Sequence, residues 1–232
     1  MTRIGLALIF IAGFAVALAG TMPISVALTW SGARAAGLSA RNITGSIWDG
    51  RLQATQFRRV PLGDAEASLD LFAIFTGLAR LSLQSERGTL TLVEGRARGL
   101  DGADIAIDVQ QLGFGVPMTG SVRLQNTTLL FENGRCSKAQ GRIVTDAARQ
   151  SWGGPELAGE FSCAGTAAIA RLRGARDDVE VAMDIGVEAN GRYRLHSQVT
   201  SSNPAILSAL SLAGFVMSGG GMMRIDEGLF GS

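Results

Sequence analysis

From Asn42 to its end the chain is cut by glycine into short stretches in which polar and apolar residues alternate. Neighbouring side chains of a strand point to opposite faces, so alternation marks strands with one buried and one solvated face. The units are Gly88–Val93, Ala103–Val109, Gly120–Leu124, Thr127–Phe131, Gly141–Thr145, Leu157–Cys163, Ala167–Leu172, Asp178–Asp184 and Gly191–Ser197. They recur at roughly 8–14-residue intervals, which predicts a mainly β fold: an antiparallel meander, sandwich or curved sheet. Glycine is abundant (31 residues) and proline scarce (5), as turns and bulges between many strands require.

Upstream, Ile43 to Leu52 reads as strand, Trp48-Asp49-Gly50 turn, strand. Leu52–Phe57 alternates, and Arg58–Gly63 is expected to break the pattern. Ala67–Leu83 carries both periods; Leu71, Ile74, Phe75 and Leu78 have helical spacing, so a short helix is expected before a strand starting near Ala79. Asn203-Pro204 predicts a helix start, with Asn as the cap and Pro in the first turn. That helix is expected to present Ile206, Leu207, Leu210 and Gly214 on one face and to run to Gly214 or Met217. A Ser218–Gly221 joint and a closing strand over Met222–Phe230 follow.

Ahead of this β region, no residue between Arg3 and Arg34 is charged, and Ile4–Leu18 is almost wholly apolar. A helix over Ile4–Leu28 is long enough for a hydrocarbon core of about 30 Å, even with Pro23 bending its far end. Residues 1–30 therefore read as a single transmembrane anchor, 31–41 as a juxtamembrane linker and 42–232 as a β-rich domain outside the cytoplasm. The competing reading is a secretory signal peptide cut after Ala17-Leu18-Ala19. Arg3 on one flank against Arg34, Arg41 and Arg51 on the other leaves orientation open.

Cys136 and Cys163 are the only cysteines; after an export-type segment, an even pair fits one structural disulfide in an oxidising compartment, against two unrelated buried thiols. Net charge is +1, arginines are scattered and only Arg58-Arg59 adjoin, so nucleic-acid binding has no support. His196 shares its strand face with Arg192 and Arg194 and has no metal-spaced partners. Asp104 and Asp108 alternate with Ile105, Ile107 and Val109; with Asp101 they lack calcium-loop spacing. Neither Gly113-Phe114-Gly115 nor the Gly219–Gly221 run has a phosphate-loop context, and no nucleophile elbow or zinc helix appears. No catalytic residue, metal ligand or cofactor is predicted.

Gly45-Ser46-Ile47-Trp48-Asp49-Gly50-Arg51, soon after the apolar segment, resembles the G-x-aliphatic-W-x-G-R segment of the type II secretion system protein N family. Gly120–Leu124, the two cysteines beside Gly-bounded strands, Asn190–Arg194 and the tail Met223–Phe230 are similar to that family in the same order. Low lysine and missing proline-rich segments depart from it. The resemblance implies a non-catalytic inner-membrane protein of a Gram-negative type II secretion machine. Its periplasmic domain would link the inner-membrane platform to the outer-membrane secretin. A different class is also open: with a mean hydropathy of +0.24, alternating strands suit a curved β-groove that binds lipid or another apolar ligand.

Overall fold

A computed structural model describes residues 10, 20–30, 37–57, 60–70, 73, 77–112 and 119–229. They form one 15-stranded antiparallel sheet with few helices. Helix α1 (Ile24–Trp30) precedes β1 (Leu38–Ser39), β2 (Asn42–Gly45), β3 (Gly50–Phe57), β4 (Val60–Asp70), β5 (Leu78–Ser85), β6 (Gly88–Gly95) and β7 (Ala97–Asp108). After a 3-10 turn at Val109–Leu112 come β8 (Ser121–Glu132), β9 (Arg135–Thr145), α2 (Ala147–Trp152), β10 (Leu157–Ala164), β11 (Ala167–Arg176), β12 (Val179–Glu188) and β13 (Arg192–Ser201). Helix α3 (Pro204–Leu212), β14 (Val216–Ser218) and β15 (Gly221–Leu229) complete the chain.

From β3 to β13 each strand pairs with its sequence neighbour, so the expected meander holds, and among the described residues no second layer closes a sandwich. At one edge β1 and β2 lie end to end along β3, with Leu38 opposite Phe57 and Asn42 opposite Gln53. At the other edge β15 pairs with β13, and β14 covers only Gly221–Met223 of β15. Strand ends alternate, which gives the sheet two ends. The turns at 46–49, 133–134, 165–166 and 189–191 lie at one, here the disulfide end. Helices α2 and α3 lie at the other, the helix end.

Several expectations are corrected. Val60–Gly63 does not break the pattern but opens β4; Pro61 is tolerated because it stands at the strand's second position. Ala67–Asp70 is strand, not helix: its ladder to β5, from Ala65 opposite Ser85 to Asp70 opposite Arg80, outweighs the helical spacing. Only Ala73 in the following segment is helical among described residues, and the next strand begins at Leu78. Gly120–Leu124 and Thr127–Phe131 are one strand, interrupted by a register shift between Gln125 and Thr128. There Asn126 turns to φ 45° and its N–H donates to Asp104 at 2.8 Å. Helix α2 was not expected, and α3 ends at Leu212, short of Gly214.

Asn203 does cap α3, accepting from the Ala205 N–H. Gly219 and Gly220, both at positive φ, make a tight two-residue hairpin rather than a loose joint. The apolar side chains of nearly every strand fall on one face. They form two clusters, one around Ile24, Ile47, Leu52, Leu81 and Ile105, the other around Phe131, Leu157, Leu172, Val181 and Leu210.

Candidate functional site: an apolar groove along the sheet

The apolar face is concave. Ladder shifts between β3 and β4, and across β6–β7, β7–β8 and β8–β9, each set an extra residue against its partner strand. Such bulges bend a strand and increase its twist, so the sheet curls about its apolar side. Close glycine approach helps: a Cβ on Gly99, at φ 143°, would lie 1.9 Å from the Leu129 carbonyl oxygen. The curl leaves a groove of about 680 Å³, lined from both clusters by Leu81, Leu92, Ile105, Leu129, Phe161 and Ile185 among others. Its size falls in the usual range of small-molecule sites, about 300–1,000 Å³.

The two ends of the groove differ. Towards the helix end it is walled by Phe57, Val60, Leu112 and Val122. At the disulfide end its lining becomes polar with Glu94, Arg98, Glu188 and Asn190. Leu92 and Leu100 stand opposite each other, so Glu94 and Arg98, two residues further along, share their inward face. The two charges pair at 3.7 Å, and the Arg98 side chain keeps 59 % of its surface exposed. A second inward ion pair finishes the C-terminal edge. Arg224 and Asp226 lie on the side of Ser197 and Leu195, meet at 2.6 Å, and are only 20 % and 18 % exposed. The Arg224 guanidinium also donates to the Ala213 carbonyl beyond α3.

The Gly45–Arg51 segment is a buckle rather than a reactive site. Gly45 takes φ 91°, which a side chain would resist, and a Cβ there would meet the Asp49 carbonyl at 2.2 Å. Ile47 is wholly buried; its N–H donates to Met22 and its carbonyl accepts from Leu69. A Cβ on Gly50 would strike the Ile24 side chain at 2.5 Å. The motif thus fastens the chain around Met22–Leu28 to the sheet at the disulfide end. Ile24 and Leu28, the far end of the expected anchor, are packed in the domain core. Trp48, by contrast, is half exposed.

Cys136 and Cys163 are joined as a disulfide, with their Cα atoms 5.5 Å apart. They link the start of β9 to the end of β10. These strands share a ladder over only four pairs, Leu157–Glu160 with Arg142–Thr145, at the opposite end. The bridge and the Cys136 N–H to Gly165 carbonyl bond therefore close a seam that backbone pairing leaves open.

The remaining sequence candidates are scattered. His196 lies on the outer face opposite Asp184 and Ile225, with its Nε2 2.8 Å from the Met223 sulfur. Asp101 pairs with Arg80 and accepts from the Thr128 hydroxyl; Asp104 holds the Asn126 bulge; Asp108 pairs with Arg87 and accepts from the Gln111 side chain. Gly113-Phe114-Gly115 lies outside the described residues. Among the described residues no cluster of His, Cys, Asp or Glu has the makings of a metal site. Asp146 is the one buried carboxylate among the described residues. Burial works against its charge, but the Ser121 N–H at 2.7 Å, the Gln150 amide at 2.7 Å and the Ser121 hydroxyl keep its pKa below the ordinary value. The sequence reading missed the Glu94–Arg98 pair. Its signal was available: charged residues at positions in phase with Leu90, Leu92 and Leu100.

Comparison with known families decides the identity. The family model described as type II secretion system (T2SS), protein N, matches residues 36–226. The chain belongs to that family. No curated protein and no solved structure matches it. Within this protein N family member, the matched span begins just before β1 and reaches β15, so it covers the meander, the buckle, the disulfide and the groove. Membership ties the chain to type II secretion and so to the cell envelope. No helix among the described residues is long and apolar enough to cross a membrane. The expected anchor over Ile4–Leu28 lies mostly outside the described residues, which take it up only at Phe10 and from Gly20 on.

Proposed function

We propose that the chain is a non-catalytic subunit of the type II secretion machine. It is held in the inner membrane by the apolar stretch beginning at Ile4, with residues 42–232 in the periplasm. There it links the inner-membrane platform to the outer-membrane secretin. The family match over residues 36–226 carries this reading, and the disulfide agrees with an oxidising compartment. The linking surface is the sheet's C-terminal edge. Open edges offer backbone donors and acceptors to a partner strand. This one also exposes Leu212, Val216 and Met217, at 91 %, 62 % and 66 %. A photo-crosslinking side chain in place of Met217 should capture a platform or secretin protein in secreting cells. Secretion and complex assembly unaltered by gene deletion would overturn the role, and a silent crosslinker would overturn this edge as the contact.

The groove favours a second reading, a binding site for a lipid or other apolar ligand, since its lining is aliphatic and its volume suits a small molecule. The two readings are compatible, because the groove and the edge are different surfaces of one sheet.

A further inference from the structure

Three features of the groove bear on its occupant. It is lined by aliphatic and phenyl side chains along the strands and turns charged only at the disulfide end. The charges there have both signs, since inward-facing Arg98 is paired with Glu94. That end is also where the chain enters the domain, since Pro23 bridges to Ser46 and Met22 accepts from Ile47. Met22 and Pro23 thus join the sheet at the charged end of the groove, not at the apolar one.

An apolar trough with a zwitterionic mouth matches an amphiphile of the same build. We propose that the groove takes the acyl part of a zwitterionic phospholipid, its phosphate against Arg98 and its ammonium against Glu94. This rests on the groove reading above and adds the headgroup and the direction of entry. The guanidinium is an apt phosphate partner because it is always charged and donates in a planar fork. At 59 % exposure it is reachable without unfolding the mouth.

The test uses the full chain in vesicles of phosphatidylethanolamine and phosphatidylglycerol. Either lipid carries a photo-activated diazirine on its acyl chain, and adducts are mapped by mass spectrometry. The expected result is labelling of peptides bearing Leu81, Leu92, Ile105 and Leu129, with phosphatidylethanolamine labelling about tenfold stronger, a difference that a modest headgroup preference gives. Glu94→Lys removes the carboxylate that receives the ammonium and should abolish that preference, phosphatidylglycerol labelling rising to match. Ala79→Trp, which puts an indole into the groove wall, should suppress labelling, with Cys136–Cys163 still formed on a non-reducing gel as the check on folding. Labelling confined to residues 4–19 would overturn the groove reading itself. Groove labelling equal for the two lipids and unmoved by Glu94→Lys would overturn the headgroup assignment and leave the groove reading standing.

Discussion

The strands up to β9 and those from β10 onward are two ways of building the same meander. In the first group, the ladders at β3–β4, β6–β7, β7–β8 and β8–β9 each slip by at least one residue. In the second, β10–β11, β11–β12, β12–β13 and β13–β15 run without a shift. The buried residues of the first cluster are Leu, Ile and Ala, while the second takes in Leu129, Phe131 and Ile143 from β8 and β9 and adds Phe161 and helix α3. Bulges give up ladder hydrogen bonds in exchange for curvature, so the first part shapes the groove and the second stiffens one wall. Between them lies the four-pair seam of β9 and β10, closed at its open end by the disulfide.

The largest test of that contrast is a matched pair of core truncations. Leu52 in the first group is 1 % exposed and Leu172 in the second is 0 % exposed. Leu→Ala at such sites costs about 2–5 kcal/mol, depending on how far the cavity collapses. Leu172→Ala should fall at the upper end, because unbroken ladders on both sides of β11 hold the cavity open; Leu52→Ala, beside a shifted ladder, should cost less. Urea unfolding of both variants measures the difference. Equal costs would mean that the bulged region packs as rigidly as the regular one.

Next in size is the seam. Cys136→Ser with Cys163→Ser opens a loop spanning 27 residues, and loss of such a crosslink costs about 3.5 kcal/mol in the chain-entropy view. The oxidised protein should unfold in one transition, and the double variant in two, with β10–β15 separating from β3–β9. Tryptophan fluorescence and circular dichroism followed together would show it. A single shifted transition would mean that the shared apolar face, rather than the bridge, couples the two regions.

Much of the second group was legible in the sequence, and less of the first. Regular alternation in Ala167–Leu172, Asp178–Asp184 and Gly191–Ser197 is what an unbroken ladder needs, and each is a strand. The helix start at Asn203-Pro204 was equally readable, since the cap and the proline act locally. Bulges are not local. The shift that splits β8 into two apparent strands depends on Asp104, 22 residues away, receiving the Asn126 N–H. Ala67–Asp70 likewise looked helical until β5 supplied its ladder. The groove was foreseeable as a class from hydropathy and alternation. Its polar mouth was legible only in part: the phase of Glu94 with Leu90 and Leu92 points it inward, but Arg98 becomes its partner only once β6 and β7 are in register.

A smaller effect, confined to the helix end, is expected from Asp146, which ties the start of β8 to helix α2. Asp146→Asn keeps the shape but loses the charge that the Ser121 and Gln150 donors favour, a change of about 1–2 kcal/mol. The folded-state pKa lies below the unfolded value of 3.8, so the unfolded chain binds more protons between the two. Stability from this group is therefore complete above pH 3.8 and declines as pH falls through the folded pKa. Urea midpoints taken from pH 5 downward should fall more steeply for the native chain than for Asp146→Asn. Parallel curves would remove Asp146 as the link.

The smallest effect isolates helix α3, which packs on the second cluster. Leu210 of α3 is buried in the second cluster, with Ile206 and Leu207 packed beside it. The helix has no charged residue in its first turn, so Asn203, accepting from Ala205 at 2.9 Å, is its principal start signal. Asn203→Ala should cost about 1 kcal/mol, the usual loss for a cap. The strands beneath have their own unbroken ladders, so the loss should stay in the helix. Hydrogen exchange would then quicken at the Leu207 and Leu210 amides and stay unchanged at Val181 and Val199. Faster exchange at all four would show α3 to be part of what holds the regular strands together, and stiffness there would no longer be a property of the ladder alone.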